Sequence, residues 1–226
     1  MLFDAERKYR EDWKELNAWW THSGDPKDPH VILSGGDHAT LFMNNGVIAQ
    51  QCPSLYQEMM TDLVKYDPNV SRDRLPDFVV APAVGGIQMA YAVALAFNEL
   101  YDHACAQYFT DKVLDADGSV IGMEFRRGAP SVGQQGIVYD DVTTTLGAIE
   151  KCAEAIIKTG ATLTSAATTL NRSPYEHLKL SNGERLSIHA LVSKEIRNMP
   201  ADSCPLCQAG SRAVRPKKLW SLVTGK

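Results

Sequence analysis

The sequence lacks a strong charge excess, a long basic run and a cysteine framework. It has 226 residues, with 23 Lys plus Arg against 27 Asp plus Glu and a formal net charge of -4. Basic residues cluster only at Arg215–Lys218, so neither nucleic acid nor a membrane surface is the expected partner. Its five cysteines are an odd number without regular spacing, which favours a reducing compartment over a disulfide-stabilised secreted domain.

Apolar segments that direct a chain to or through a membrane are also scarce. The first twenty residues are crowded with charges and contain no apolar stretch of a secretory signal, so we expect a cytoplasmic protein. Phe78–Phe97 has no charged residue and is 20 residues long, which is enough to cross a bilayer. Pro82 and Gly85-Gly86 interrupt it, so the segment predicts a buried strand, a tight loop and a buried Ala-rich helix instead.

With 44% hydrophobic residues, the chain can bury a sizeable core as one or at most two domains. Residues 3–20 have the spacing of an amphipathic helix, and a second helix is expected over 55–65, after Cys52-Pro53. Farther along, strands alternate with helices, which is typical of a mainly parallel sheet with helices on both faces. The predicted strands are 30–33, 77–80, 104–109, 136–139, 162–170 and 186–192, and the predicted helices are 87–99 and 146–158.

An excursion over residues 110–135, rich in Asp, Gly and Arg, interrupts this alternation. Segments of that length next to a compact core are usually functional flaps or disordered. We expect one or the other here.

The segment 136–148 carries the strongest chemical signal. An apolar strand ends in Asp140 and Asp141, and a Thr-rich turn then opens a helix near Leu146. Ligands of open α/β sheets bind at the carboxyl ends of strands, and the free amides of a helix N-terminus favour an anion. Two carboxylates beside a phosphate site are compatible if the carboxylates face hydroxyls or a divalent metal, as a phosphorylated sugar requires.

These features resemble the type I phosphoribosyltransferases, and within them the orotate phosphoribosyltransferases. The resemblance covers about residues 30–170 and rests on motifs in the family's order. They are 30–44, similar to the segment under the base; 77–87, similar to the pyrophosphate loop; 109–112 with 125–128, similar to the ends of the mobile catalytic loop; 136–148, similar to the motif for phosphoribosyl pyrophosphate (PRPP); and Asn171-Arg172, similar to the base-carboxylate site.

The resemblance implies a type I phosphoribosyltransferase fold, with a central, mainly parallel sheet flanked by helices and an N-terminal hood. It implies a single domain, with the helix and hood at 1–66, the PRPP-binding core at 67–195 and a tail at 196–226. The implied reaction is Mg²⁺-dependent transfer of phosphoribose from PRPP to orotate, giving orotidine 5'-phosphate and pyrophosphate for pyrimidine synthesis. A homodimer with shared active sites is also implied.

The resemblance also implies a set of site residues. Asp140 and Asp141 would hold the ribose hydroxyls, directly or through Mg²⁺, and Lys112 would meet the departing pyrophosphate. The remaining PRPP-binding residues would be Thr143, Thr144, Thr145, Leu146 and Gly147 at the 5'-phosphate, with Ala83, Val84, Gly85 and Gly86 at the pyrophosphate. The base would contact Phe42, Thr144 and Arg172. Arg126 and Arg127 are expected to anchor the loop or to be solvated.

Departures from the family pattern leave two alternatives open. Leu146 stands where the phosphate loop usually has Gly, so either the backbone there avoids positive φ or the loop is distorted. A distorted loop would suit a non-catalytic PRPP-sensing protein. Ser34 and Asp37 also differ from many relatives, and an acidic residue near an anionic base is unfavourable, so a purine or another base is the second alternative.

The pair Cys204 and Cys207 has the spacing of half a zinc site. A structural zinc ion needs four ligands, and the sequence offers no second CxxC and no closely spaced His pair. Metal binding would require His177, His189 or another subunit, and a turn-forming C-terminal appendage is the preferred interpretation.

Overall fold

The computed structural model describes residues 3–33 and 35–216. The predictions for Ser34 and for the end of the basic tail, Lys217-Lys218, lie outside the described residues. By their contacts the residues form two compact units. The first comprises Cys52–Lys194 with Phe3, and the second comprises Asp4–Gln51 with the chain from Glu195 onward as far as it is described.

The secondary structure alternates as expected in the first unit and is mostly short strands in the second. The helices are α1 (Ala5–Glu15), α2 (Asn45–Gln51), α3 (Pro53–Lys65), α4 (Gly86–Tyr101), α5 (Gly147–Ile157) and α6 (Pro205–Gln208). The strands are β1 (Trp19–Thr21), β2 (His30–Ile32), β3 (His38–Ala39), β4 (Leu41–Met43), β5 (Phe78–Pro82), β6 (Ala106–Leu114), β7 (Val120–Glu124), β8 (Gln135–Thr143), β9 (Thr162–Asn171), β10 (His177–Lys179), β11 (Arg185–Ser193) and β12 (Ala213–Val214).

A seven-stranded sheet with the order β10-β11-β9-β8-β5-β6-β7 organises the first unit. The four central pairs are parallel, and the two outermost pairs are antiparallel. From β5 the chain continues to β6 and β7 on one side of the sheet, and it then returns to β8 on the other side of β5. The carboxyl ends of β5 and β8 therefore form a topological switch point. The predicted α/β class with a central, mainly parallel sheet is confirmed.

The core of this unit depends on a close approach between β5 and β8. Phe78 pairs with Gly136 in the register of the two strands, and a Cβ added at Gly136 would overlap the Phe78 ring. Val80, Val138 and the buried face of α5 complete the same cluster. Only glycine leaves room for the aromatic ring at this position.

The uncharged segment 78–97 forms β5, a short loop and most of α4, as predicted. The strand is fully buried, and α4 buries the side chains that face the sheet. No helix among the described residues combines the length and the apolar character that crossing a membrane requires.

One expectation from the sequence is corrected, and the two alternatives for the excursion after Phe109 are narrowed to one. The N-terminal helix ends at Glu15 rather than near residue 20, because Asn17 takes a left-handed conformation (φ 54) and the chain then enters β1 with Trp19 and Trp20. Residues 110–124 are not disordered: β6 continues to Leu114 and pairs antiparallel with β7. Asp115 closes the hairpin by accepting the amides of Asp117 and Ser119 with Oδ1.

The second unit contains two small sheets. Strand β1 pairs antiparallel with β4, and a three-stranded sheet has the order β12-β2-β3. The parallel pairing of β12 with β2 brings residues near 213 beside His30, so the C-terminal segment is part of this sheet rather than an appendage. The Trp13 ring of α1 stacks on Trp19 of β1, with 5.5 Å between ring centroids.

Candidate active site

The acidic pair lies on β8, where this strand runs past its neighbour β5. The β5–β8 pairing ends at Val80 and Val138, whereas β8 continues to Thr143 along β9. Asp140 and Asp141 therefore lie at the edge of the pairing, at the switch point of the sheet. The sequence predicted a strand that ends at Tyr139, whereas β8 continues through the acidic pair to Thr143.

Burial makes Asp140 an unusual carboxylate. Its side chain is only 6% exposed, and burial followed by the neighbouring Asp141 raises the pKa of Asp140 well above its ordinary value, while Lys112 acts in the opposite direction. Asp140 Oδ1 accepts the Asp141 amide at 3.0 Å. A carboxylate in this environment is stabilised in its ionised form by any cation that binds beside it.

Hydrogen bonds to the backbone fix the position of Asp141. Its carbonyl oxygen accepts the hydroxyl of Thr169 at 2.5 Å and that of Thr168 at 3.3 Å, both from β9. Its Oδ1 accepts the Val142 amide at 2.8 Å. Hydrogen bonds from β9 thus hold the part of β8 that carries the half-buried carboxyl group of Asp141.

The predicted phosphate loop connects β8 to α5. Thr143 is buried, Thr144 is half-buried and Thr145 is exposed. Thr143 Oγ1 accepts the Leu146 amide at 3.2 Å, and Gly147 begins the helix, which has no side-chain N-cap. Amides at the start of an uncapped helix are available to an anion.

Leu146 has a left-handed backbone conformation, which glycine adopts without steric cost. Its φ is +64°, which excludes the first of the two alternatives drawn from the sequence, a backbone that avoids positive φ. Its side chain is 3% exposed and packs with Ile149 and Val138 in the core. Burial of the leucine side chain offsets the backbone strain of about 1–2 kcal/mol that a left-handed conformation imposes on a residue with a Cβ.

The loop between β5 and α4 meets the acidic pair directly. A Cβ added at Gly85 would lie 3.3 Å from Asp141 Oδ2, and one added at Gly86 would lie 2.7 Å from the Cβ of Ala81. The Ala83 amide donates to the Thr110 carbonyl at 2.8 Å, and Val84 is 82% exposed. The predicted pyrophosphate loop and the acidic pair thus share one edge of the sheet.

Lys112 lies on β6 of the β6–β7 hairpin, opposite Met123. Its side chain is exposed, but its charge reaches Asp140, whose pKa it lowers. Arg126 forms an exposed ion pair with Glu124 (2.6 Å), and the Arg127 guanidinium lies 5.8 Å from the centre of the Phe109 ring. These two arginines interact within their own segment, as expected for loop-anchoring residues.

The residues predicted to bind the base fall in both units. Arg172 follows β9 at the same sheet edge: its amide donates to the Thr143 carbonyl at 2.9 Å, and its side chain is 2% exposed. Burial lowers the pKa of Arg172 to about 10. Phe42 belongs to β4 of the second unit, where it packs against the cluster of Val31, Leu33, Ala39 and Val214.

Two residues near this edge were not predicted from the sequence. Lys151 Nζ of α5 would lie 3.8 Å from a Cβ at Gly147, which places a cation at the phosphate loop. Tyr56 of α3 is buried, and burial together with the Asp141 charge raises its pKa. The helical spacing of Lys151 from the loop was a usable signal for the lysine. Nothing local marks Tyr56, because it lies far away in the sequence.

The prediction about the cysteine pair is also corrected. The histidines beside Cys204 and Cys207 are His30 and His38 of the same unit. His177 and His189, which the sequence offered, lie in β10 and β11 of the first unit. The strand pairing of the second unit, which the sequence did not predict, makes the difference.

Comparisons with known proteins agree with the fold. The orotate phosphoribosyltransferase of Campylobacter lari is 28% identical over 195 residues, 83% of this chain and 90% of that protein. The orotate phosphoribosyltransferase of Thermus thermophilus is 26% identical over 196 residues, 84% and 93% respectively. The crystal structure of orotate phosphoribosyltransferase from Aeropyrum pernix has a TM-score of 0.56 at 18% identity, covering 81% of this chain and 93% of that one. No family model matches the chain.

The resemblance stated from the motifs, and the expectation of an enzyme, are therefore confirmed: the chain has the type I phosphoribosyltransferase fold and is similar over most of its length to enzymes named orotate phosphoribosyltransferase.

Proposed function

We propose that the protein transfers phosphoribose from PRPP to orotate, giving orotidine 5'-phosphate and pyrophosphate, as a step of pyrimidine synthesis. One observation carries the proposal: the acidic pair, the Thr143–Gly147 loop and the β5–α4 loop meet at the switch point of the sheet. The names of the similar proteins support orotate as the base.

The acidic pair suits the charge that develops in this reaction. Positive charge grows on the ribose as pyrophosphate departs, and catalysis requires that the separated charges be stabilised more than the substrates are. Asp140 and Asp141 would hold the ribose hydroxyls and lie beside the developing cation. Two adjacent carboxylates, one of them destabilised by burial, also fit Mg²⁺, which would neutralise charge on the pyrophosphate oxygens.

Different elements would bind the 5'-phosphate and the pyrophosphate of PRPP. The amides and hydroxyls of Thr143–Gly147, with Lys151 nearby, would hold the 5'-phosphate while the anomeric carbon moves toward the base. The amides from Ala83 to Gly86 would hold the pyrophosphate. Lys112 on the hairpin would approach this leaving group as a compact cation.

Recognition of orotate would depend on the buried Arg172. A guanidinium forks onto a carboxylate with two hydrogen bonds, and a cation that burial destabilises gains most from an anionic partner. Thr144 would contribute to the base site from the same edge of the sheet, and the role of Phe42 stays a prediction. We expect Arg172→Gln to raise the KM for orotate by about 10- to 100-fold and to abolish the preference for orotate over uracil, which lacks the carboxylate. An unchanged preference would contradict this role.

Catalysis is favoured over PRPP sensing by the conformation of Leu146. The sensor alternative was motivated by a distorted phosphate loop, but Leu146 has a positive φ, so the leucine does not exclude the left-handed conformation that glycine favours. The purine alternative rests on Ser34 and Asp37, and turnover of different bases decides it.

The deciding experiment measures pyrophosphate release from PRPP with orotate, adenine, guanine and hypoxanthine in turn, with and without Mg²⁺. We expect turnover with orotate only, and only with Mg²⁺. Turnover with a purine alone would overturn the choice of base. PRPP binding by calorimetry, without release over any base, would indicate the sensor.

A matched pair of variants tests the acidic pair. Asp141→Asn removes one charge at the switch point, and we expect kcat/KM to fall by about 100-fold or more. Asp73→Asn is the control, since Asp73 is an exposed carboxylate of the same unit and should leave kcat/KM within about twofold. Equal effects of the two variants would contradict the assignment.

A homodimer with shared sites and a cytoplasmic location complete the proposal. Free thiols at all five cysteines suit a reducing compartment. Sedimentation velocity of the full chain tests the dimer. Mixing Lys112→Ala with Asp141→Asn protein tests shared sites, because exchanged subunits would regain part of the activity.

A further inference from the structure

Four side chains in the second unit converge on one point, and none of them has a role in the proposed reaction. His30 of β2, His38 of β3, Cys204 and Cys207 each present one ligand atom, and these atoms all lie within 4.8 Å of one another. We call these four residues the Cys2His2 cluster. His30, His38 and Cys204 are buried, whereas Cys207 is exposed, so an ion could reach the cluster from the Cys207 side.

The spacing of the ligand atoms is that of a tetrahedral zinc site. Bonds of about 2.3 Å to sulfur and 2.0–2.1 Å to nitrogen, at tetrahedral angles, separate a sulfur and a nitrogen ligand by about 3.5 Å. The distances from His30 Nε2 to the sulfurs of Cys204 and Cys207 are 3.6 and 3.4 Å, and Cys207 Sγ lies 3.4 Å from His38 Nδ1. The two nitrogens are 2.9 Å apart, and they would separate by about 0.4 Å to face an ion.

A hydrogen-bond chain behind His30 sets the tautomer that a metal requires. The Ser211 hydroxyl donates to the Asp28 carbonyl at 2.7 Å, so it accepts from His30 Nδ1, which lies 2.8 Å away. With the proton on Nδ1, the lone pair of Nε2 points into the cluster. Metal-binding histidines are typically oriented in this way by a partner on the other ring nitrogen.

The same chain is consistent at its far end. His22 Nδ1 accepts the Gly24 amide at 3.0 Å, which leaves the proton on Nε2. Nε2 then donates to the Asp28 carbonyl at 3.2 Å. The Asp28 carbonyl accepts from both Ser211 and His22, and Ser211 accepts from His30, so the hydrogen bonds of the fold orient the His30 ring.

Backbone hydrogen bonds hold the cysteine segment against the two histidines. His38 exchanges both of its backbone hydrogen bonds with Met199, at 2.7 and 2.8 Å. The His30 amide donates to the Arg212 carbonyl at 2.9 Å. The segment that carries Cys204 and Cys207 is therefore tied to β2 and β3 on both sides. Cys204 precedes α6 and Cys207 lies within it, and both thiols reach the same cluster.

We propose that the Cys2His2 cluster is a structural Zn²⁺ site. Four protein ligands leave no open position for a substrate, which distinguishes a structural from a catalytic zinc ion. Two thiolates and two imidazoles select zinc over magnesium or calcium. The ion would cross-link residues 30–38 to residues 204–207, and its binding energy would stabilise the second unit.

Cobalt substitution tests the ligand set directly. The untagged full-length chain is stripped with a chelator, checked for folding by circular dichroism and titrated with Co²⁺. We expect about one equivalent to bind, with intense visible bands of tetrahedral Co²⁺ and near-ultraviolet bands from thiolate ligands, all displaced by Zn²⁺. Octahedral Co²⁺ spectra, or no binding, would overturn the proposal.

Variants separate the site from the other cysteines. Cys207→Ser should weaken the thiolate bands by about half and lower the zinc content of the purified protein from about one equivalent to a small fraction. His38→Ala should also lose zinc, whereas Cys52→Ser and Cys105→Ser should retain it. Zinc retained by both ligand variants would refute the site, as would a Cys204–Cys207 disulfide in protein purified under reducing conditions.

Discussion

The left-handed conformation of Leu146 leads to a quantitative prediction. Truncation of this buried leucine to Ala removes core packing, which costs about 2–5 kcal/mol of unfolding free energy, but leaves the strain at φ +64°. Truncation to Gly loses the packing as well and releases the strain of about 1–2 kcal/mol. The step from Ala to Gly isolates the strain, after correction for two ordinary costs of glycine.

Ile149 supplies that correction within the same cluster. It is fully buried and lies inside α5, where a step from Ala to Gly costs about 0.5–1 kcal/mol in chain entropy and about 0.8 kcal/mol in buried apolar area. The sum is about 1.3–1.8 kcal/mol. At Leu146 the released strain offsets this amount, so Leu146→Ala and Leu146→Gly should have similar stabilities.

Urea denaturation of the four variants at fixed Zn²⁺ concentration measures the difference. We expect the Ala-to-Gly step at Leu146 to be about 1–2 kcal/mol more favourable than the step at Ile149. Equal steps at the two positions would refute the claim that Leu146 stores backbone strain. Calorimetry of PRPP binding to Leu146→Gly adds a functional test: unchanged affinity would support a phosphate loop that already has the glycine-like backbone.

Two further predictions concern packing and thiol chemistry. Gly136→Ala drives a methyl group into the Phe78 ring and should lower the free energy of unfolding in urea by about 1–3 kcal/mol. Gly35→Ala is the control, since Gly35 has open space around it, and should be near neutral. Equal effects of the two variants would contradict the close packing of Phe78 on Gly136. Burial raises the pKa of both Cys105 and Cys152 to about 12. At pH 8 about one in 10,000 of such thiols is ionised, so both should label slowly with iodoacetamide, faster as the pH rises and rapidly in urea; rapid labelling of the native protein at pH 8 would refute these values.

The sequence by itself determined the alternation of strands and helices and the order of the binding motifs. Burial and hydrogen bonding within a segment depend on nearby residues, so periodicity was sufficient to place β5, α4, β8 and α5 within a few residues. The position of Asp140 and Asp141 followed, because they directly continue an apolar strand. Local patterns also separated β5 and α4 from a membrane span.

The pairing of strands was decided only by the tertiary structure. Residues 110–124 have no core periodicity, and they form a hairpin because β6 finds a partner in β7. The N-terminal helix ends at Glu15, and the chain then turns into β1, which pairs with β4.

The Cys2His2 cluster and the strain at Leu146 also depend on the tertiary structure. The parallel pairing of β12 with β2 brings Cys204 and Cys207 to histidines more than 160 positions earlier in the chain, and no spacing rule in a single sequence encodes that contact. Leu146 accepts a positive φ because the core receives its side chain. The contacts of the cluster join residues far apart in the sequence, and those of Leu146 depend on the packing of the core, so both exist only once the chain has folded.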